Sequence, residues 1–324
     1  MPFEQNMAER RPVLAAPSGI ASENVRDELW LLGQPPLGDY LDFVRLSVEG
    51  GEAMDPRALV DEWRAANDHY YDLEIDEAGI ADEAECLDLP ETLAPLAEAL
   101  ARQPHFAQAF DRLPVSFGMV ELDRLVVYQP HVTLPFVESL GAALGPAPEP
   151  EALFRFCQPV ERRDPPVRTR RIGARRYAFV SDSTDFRFHE PVLLRPDQIT
   201  GYESFGPITA AIGLVVDFGS NFLSVIRSDS RMLLHNGYHR TCALRAAGVT
   251  HAPAVIQTVT RRDELALVAT QNVIDEPAFY FGAKRPPLIK DFFDPAIRKI
   301  LPVRRMEKMI EVNFEIKEYD LPRI

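Results

Sequence analysis

Residues 233–244, LLHNGYHRTCAL, decide the fold. Two leucines end a candidate strand, and an apolar helix pattern starts within a few residues of them. Gly237, between the two, permits a sharp turn and a close approach of a ligand to the backbone. The backbone amides that follow lie at a helix start, where they lack intrahelical acceptors and the helix dipole favours an anion. The stretch therefore predicts a strand, a turn and a helix that together cradle a phosphate.

The side chains of this turn strengthen the prediction. Arg240 carries a planar, permanently charged fork suited to phosphate, and His239 adds a donor that titrates near neutral pH. Tyr238 is a candidate for stacking on a base or for packing. His235 and His239 are four residues apart, but they straddle the turn and no metal ligand is assigned to them. The predicted phosphate or nucleotide-binding residues of the turn are Gly237, Tyr238, His239, Arg240 and Thr241.

The turn sits in a mixed pattern of strands and helices. Strands are predicted at 120–127, 177–180, 186–188, 191–194 and 253–259, a hairpin at 221–226 and 231–234, and helices at 133–144, 241–247 and 262–272. This alternation indicates a mixed α/β class, with a small mixed sheet and peripheral helices.

The motif Gly237-Tyr238-His239-Arg240 resembles the GxxR phosphate motif of the ParB/sulfiredoxin superfamily. Residues 251–257 are similar to the strand that follows in that family, and residues 262–272 to its next helix. Upstream, Gln129-Pro130-His131 is similar to the family's Gln-Pro-Arg box, although 190–199 is an alternative for that place. The resemblance implies a nucleotide triphosphate ligand, ATP or CTP, with Mg²⁺.

Departures from the family pattern limit this inference. Sulfiredoxins carry a catalytic cysteine where this chain has Tyr238, so sulfinic-acid reduction is not expected. The metal-holding glutamate of partition proteins is Gln271 here, whereas Asn272 is retained as a nucleotide-binding candidate. If catalysis occurs, a carboxylate must hold Mg²⁺ or act as a base. The candidates for that catalytic role are Asp217, Asp229, Asp275 and Glu276.

Two functions remain open at this point. One is a nucleotide-dependent phosphotransferase or NTPase switch, which the intact Gly-x-His-Arg turn favours. The other is a non-catalytic interaction or regulatory module of the same fold, which Gln271 favours. No DNA-reading helix-turn-helix pattern follows residue 276.

Charge is unevenly distributed. Residues 1–100 hold 23 acidic and 6 basic side chains, and the remainder holds 26 acidic and 29 basic ones. Clustered Lys and Arg, which phosphate contacts in nucleic-acid binding require, are missing from the first hundred residues, so a nucleic-acid partner is not expected there. The absence of an 18-residue apolar run and of a signal-peptide pattern, with three scattered cysteines, predicts a cytoplasmic protein without a membrane span.

Four regions are predicted. Residues 1–25 form a flexible arm, 26–114 an acidic helical region, 115–276 the ParB/sulfiredoxin-like domain, and 277–324 an extension. In the helical region, Asp55-Pro56 is a helix start, and 72–85 is a solvated acidic loop whose spacing does not fit an EF-hand. In the domain, the Arg-rich stretch 160–176 is predicted to be a solvated loop that docks on the acidic N-terminal third, or else a patch for phosphate or nucleic acid.

The extension contains the cleanest strand pattern of the chain. Apolar residues alternate with polar ones from Ile310 to Lys317, as in a half-buried strand. We expect this strand to pair with the main sheet or with a partner, in a homodimer or with another protein.

Overall fold

The computed structural model describes residues 24–145, 148–160, 166–183 and 185–322. The fold is mixed α and β, which confirms the predicted class. The predicted flexible arm lies outside the described residues except for its last two positions. Among the helices that are described, none is long and apolar enough to cross a membrane.

The regular elements of the described residues alternate along the chain. The strands are β1 Val25–Leu31, β2 Cys86–Asp88, β3 Val115–Glu121, β4 His131–Thr133, β5 Arg168–Gly173, β6 Arg176–Ser181, β7 Phe186–Leu194, β8 Ala211–Phe218, β9 Ser224–Ser228, β10 Arg231–Asn236, β11 His251–Val259, β12 Arg298–Arg304 and β13 Lys308–Asn313. The helices are α1 Leu37–Ser47, α2 Pro56–Asp76, α3 Ala94–Ala101, α4 Pro104–Ala109, α5 Leu134–Leu144, α6 Pro150–Cys157, α7 Tyr238–Ala246, α8 Leu265–Val268, α9 Gln271–Asp275 and α10 Pro277–Gly282.

The chain divides into two compact units. The described residues of Met1–Glu161 and Asn221–Arg304 form the main unit, and those of Arg162–Ser220 and Arg305–Ile324 form the smaller unit. This division differs from the four predicted regions, because the middle of the predicted domain belongs to the smaller unit together with the end of the extension.

The main unit contains two sheets. A five-stranded sheet has the order β10-β9-β11-β3-β2, in which only β9 and β11 run parallel. A three-stranded antiparallel sheet has the order β12-β1-β4. The central strand β11 is buried over Ala252–Gln257, as expected of a strand with neighbours on both sides. Burying each large aliphatic side chain of this core contributes about 1.5–3 kcal/mol.

Local signals predicted several elements correctly. The Asp55 carboxylate accepts a hydrogen bond from the Arg57 amide at 3.0 Å, so α2 starts at the predicted cap. The hairpin around Ser228-Asp229-Ser230 forms, with Asp229 in the left-handed region at φ 53°. Helix α5 also lies where it was predicted.

Other predictions were wrong. The first element of the supposedly helical region 26–114 is strand β1, held between β12 and β4. The predicted helix at 262–272 is interrupted, because Ala269 and Thr270 adopt extended backbone between α8 and α9. The acidic stretch 72–85 is not a free loop. Its first residues complete α2, and three of its members pair with arginines, Glu77 with Arg285, Asp82 with Arg231 and Glu83 with Arg124.

The Arg-rich stretch is a hairpin rather than a loop where the structure describes it. Strands β5 and β6 pair there, and β13 adds to the other side of β6. Arg168 pairs with Glu307 and Arg176 with Glu311, so these arginines meet glutamates of the C-terminal segment and not of the first hundred residues. The strand predicted at 310–317 forms as Lys308–Asn313, and residues 314–317 are not part of it. It pairs with β6 of the smaller unit and not with the main sheet, and it is an edge strand there.

Candidate functional site

The Gly237 turn connects β10 to α7. Gly237 has φ 106° and ψ 20°, a conformation that L side chains rarely adopt. A Cβ atom at this position would lie 3.1 Å from Cγ of Leu223, so the space is also closed. The Thr241 amide donates to the Gly237 carbonyl at 2.8 Å and its hydroxyl donates to the same oxygen at 3.0 Å. The amides of Tyr238, His239 and Arg240 therefore precede the first intrahelical bond. The sequence predicted unbonded amides at His239, Arg240 and Thr241, and for Thr241 this was wrong, because its amide closes the first helical turn.

Tyr238 is a packing and positioning residue. Its hydroxyl accepts hydrogen bonds from the amides of Tyr128 at 3.0 Å and Gln129 at 3.3 Å, and donates to the Leu234 carbonyl at 2.9 Å. The side chain is buried, and that burial raises the pKa of the phenol well above its usual value. Tyr238 is thus not exposed for stacking on a base, and it joins the Gly237 turn to the Gln129-Pro130 segment.

His239 is a neutral acceptor. Its Nε2 accepts a hydrogen bond from the Thr133 amide at 3.0 Å, and its ring meets Phe136 edge-on at 5.1 Å. Burial, and after it the charges of His131, Arg26 and Arg240 in that order, lower the pKa of His239 to about 4. His239 is therefore an uncharged acceptor at neutral pH, and the prediction that it is a donor that titrates near neutral pH was wrong.

Arg240 lies inside the main unit. Only 8% of the residue is exposed, and its guanidinium donates to the Cys157 carbonyl at 3.1 Å and to the Asn221 side-chain oxygen. Both of these acceptors are neutral. Arg240 therefore holds Cys157, at the end of α6, and Asn221 against α7. Its positive charge lies in the first turn of α7.

A second group of predicted residues lies around a cavity of about 420 Å³ in the main unit. Gln129, Pro130, Asn272 and Glu276 all line it. None of the residues 237–241 lines the cavity, so the predicted nucleotide-binding residues lie in two places, the Gly237 turn and this cavity. Tyr238 links the two through its bonds to Tyr128 and Gln129.

Within the main unit, the candidate catalytic carboxylates of Asp229, Asp275 and Glu276 do not form one cluster. Asp217 belongs to the smaller unit, where its Oδ2 lies 3.4 Å from Nδ1 of His189. Asp275 accepts a hydrogen bond from the Gln271 side chain at 2.7 Å, and Asp229 forms the hairpin turn. Only Glu276 reaches the cavity. Across the described ranges, no cluster of three or more His, Cys, Asp or Glu side chains is arranged to hold a metal ion.

Sequence reasoning missed the cavity residues of the N-terminal region. Trp30, Asp39, Tyr40 and Phe43 line the cavity from β1 and α1, and Gln34-Pro35-Pro36 connects these elements. The only available signal was the dense mixture of aromatic and proline residues between 30 and 43. These residues converge on one cavity because β1 pairs with β4 and β12, and local sequence patterns do not encode that pairing.

Comparison of the chain with protein families, with curated proteins and with solved structures gave no match in any of the three. The candidate sites are therefore interpreted from their own geometry and chemistry.

Proposed function

We propose that the main unit is a nucleotide-binding module that holds a phosphate group at the start of α7 and acts as a regulatory module rather than as an enzyme. The observation that carries this proposal is the helix start at Gly237, where the leading amides and the Arg240 side chain belong to the same turn. Helix amides and a guanidinium in one place favour an anion. The ParB/sulfiredoxin-like motif at the same residues points to nucleotide triphosphate, ATP or CTP, with Mg²⁺.

The dispersion of the carboxylates supports a non-catalytic role. Phosphoryl transfer depends on positioned groups and on charge stabilisation at the reacting phosphate. Asp217, Asp275 and Glu276 lie in different surroundings, and Gln271 occupies the place of the family's metal-holding glutamate. A phosphotransferase or NTPase switch is the second candidate. It would use Asn272 and Glu276, which share the cavity wall, as oxygen ligands for the Mg²⁺ of the nucleotide.

A partner contact at β13 is compatible with either role. Strand β13 forms one edge of the sheet β13-β6-β5, and Met309 in it is 60% exposed. An exposed strand edge is a surface for sheet extension by a second copy or another protein. We also infer a reducing, cytoplasmic environment, which fits the three free thiols at Cys86, Cys157 and Cys242.

Calorimetric titration tests the nucleotide proposal. The full chain is titrated with ATP, CTP, GTP and UTP in the presence of Mg²⁺, and Arg240→Met is compared with Arg102→Met, which removes an exposed arginine. We expect one nucleotide to bind, with a loss of about 1.5–3 kcal/mol in Arg240→Met as for a charge-assisted contact and no change in Arg102→Met.

Two controls separate the outcomes. Circular dichroism shows whether Arg240→Met stays folded, and competition by inorganic pyrophosphate reports phosphate binding in the wild-type chain without any substitution. Failure of all four nucleotides and of pyrophosphate to bind the folded wild-type chain refutes the proposal. Release of phosphate from the bound nucleotide, blocked by Glu276→Gln, would select the catalytic candidate instead.

A further inference from the structure

The cavity beside Gln129-Pro130 has a distinctive chemical lining. Six aromatic side chains contribute to it, from Trp30, Tyr40, Phe43, Tyr128, Phe279 and Tyr280. The lining also includes the carboxylates of Asp39 and Glu276, and among the described residues no lysine, arginine or histidine lines it. Its volume of about 420 Å³ lies within the range of small-molecule sites. A cavity with this lining carries negative charge and presents π faces.

The aromatic walls are held in place before any ligand arrives. The rings of Trp30 and Phe43 stack with centroids 3.8 Å apart, and the Trp30 indole donates to the Glu28 carboxylate at 3.0 Å. On another wall, the Tyr128 hydroxyl donates to the His235 carbonyl at 3.0 Å, and its ring meets Tyr238 edge-on at 5.6 Å. Preformed walls reduce the entropy that a ligand must lose on binding.

A buried hydroxyl in the lining lacks a partner. Tyr40 is 3% exposed, and its hydroxyl has no hydrogen bond to any of the described residues. Burial, and after it the charge of Glu62, raises the pKa of Tyr40 to about 12, so the phenol is neutral and polar. Buried polar groups in folded proteins are nearly always hydrogen-bonded, so this hydroxyl is an exception. Its oxygen is inaccessible to solvent, so it lies within the wall of the cavity and not at its open surface.

We propose that this cavity binds a small organic ammonium ion, with its positive charge against the aromatic faces and the carboxylates of Asp39 and Glu276. Ammonium groups are attracted to the faces of Trp, Tyr and Phe, and most strongly where water is excluded. The two carboxylates add Coulombic attraction for a cation and repel an anionic group such as phosphate. Tyr40 contributes its ring to the aromatic wall.

This inference is independent of nucleotide binding at α7. None of residues 237–241 lines the cavity, although Tyr238 is bonded to Tyr128 and Gln129, which do. The carboxylates of Asp39 and Glu276 belong to exposed residues, so both can be changed without disturbing the core.

The experiment compares cations with an uncharged ligand of matched shape. Benzylammonium and tetramethylammonium are titrated into the full chain and followed by calorimetry and by Trp fluorescence, with benzyl alcohol as the neutral counterpart. We expect saturable 1:1 binding of at least one cation, with benzyl alcohol about tenfold weaker than benzylammonium, equivalent to about 1.4 kcal/mol. Asp39→Asn and Glu276→Gln should each weaken the cation about three- to tenfold, within the range of cation contacts at partly exposed sites.

Asp42→Asn is the matched control. Asp42 lies on the same helix α1, is exposed, pairs with Arg45 and does not line the cavity. Its substitution removes one negative charge from the same helix and should leave cation binding unchanged. Equal binding of benzyl alcohol and benzylammonium would refute the proposal, as would no saturable binding of either cation. Displacement of the bound cation by ATP or CTP, with Arg240→Met abolishing the displacement, would also refute it and assign the cavity to the nucleotide.

Discussion

Arg285 and Asp291 form a bidentate ion pair inside the main unit, with Nη1–Oδ2 and Nη2–Oδ1 distances of 2.5 and 2.6 Å. The two side chains are 0% and 1% exposed. Glu77 receives two further bonds from the same guanidinium, and Lys290 pairs with Glu77. The network attaches the end of α2 to residues 285–291, so the acidic stretch around Glu77 has a structural role.

Removing one partner of this pair should strongly destabilise the chain. Arg285→Met leaves Asp291 buried without its cation, and we expect a loss of about 3–5 kcal/mol in the free energy of unfolding. Urea denaturation measures it. Arg261→Met removes a 73% exposed arginine paired with Asp263 and should cost less than about 1 kcal/mol. Equal effects of the two substitutions would contradict the role of the network.

Replacing Tyr238 by Phe should loosen the segment beside the cavity. The substitution removes one hydroxyl but leaves the amides of Tyr128 and Gln129 without their acceptor, and each unsatisfied buried group costs about 1–3 kcal/mol. We expect lower stability and faster hydrogen exchange at these two amides. Tyr71→Phe, at a 60% exposed position, is the control. Unchanged exchange at Tyr128 and Gln129 would show that the hydroxyl is dispensable.

Replacing Gly237 by alanine should lower the stability of the folded chain. Gly237→Ala forces an L residue to φ 106° and places Cβ 3.1 Å from Leu223, and we expect a loss of about 1–3 kcal/mol. Gly141→Ala in α5 is the matched control, because an added Cβ there meets nothing within 4 Å. That control should be neutral or stabilising by up to about 1 kcal/mol. Thermal unfolding of the two variants distinguishes these expectations.

The stability of the folded chain should decrease as the pH is lowered, because His239 becomes protonated. The pKa of His239 is about 4 in the folded chain, because burial disfavours its charged form, and about 6.5 for an unperturbed histidine. The unfolded chain therefore binds more protons between these values, so the contribution is fully present above pH 6.5 and is lost as the pH falls towards 4. At 1.36 kcal/mol per pKa unit, it amounts to at most about 3 kcal/mol.

The variant His239→Gln tests this pH dependence. Glutamine retains an oxygen that can accept from the Thr133 amide but does not titrate. Urea midpoints at pH 7.5 and pH 5 should differ less in this variant than in wild type, whereas His251→Gln, which retains His239, should behave like wild type. A wild-type-like decrease in His239→Gln would assign the pH dependence to other groups.

The structure separates what local sequence encodes from what it does not. The Gly237 turn, the Asp55 cap and the Asp229 hairpin depend on residues within a few positions of each other, and all three were predicted. Strand β1 was missed because Glu28, in its centre, is 2% exposed and interrupts the apolar pattern expected of a buried strand. Its burial is explained only by Arg26, Trp30 and His131, which surround its carboxylate.

The partners of the turn residues also lay beyond the reach of local patterns. Tyr238 is bonded to a segment 110 residues away, and Arg240 to Cys157, 83 residues away. A motif predicts which groups are present, but distant packing decides whether they face a ligand or the interior. The cavity is the clearest case, because its walls come from three separate parts of the chain.

The pairing of β12 with β1 and of β13 with β6 has a consequence for synthesis on the ribosome. Each of these strands joins a partner made much earlier, with Arg304 opposite Val25 and Asn313 opposite Arg176. Until residues 298–313 have emerged, β1 and β6 each lack a neighbour, and their open edges are available to other chains. Premature termination before Arg298 would therefore leave both units unfinished at once, so nascent chains need protection from aggregation until residues 298–313 are made.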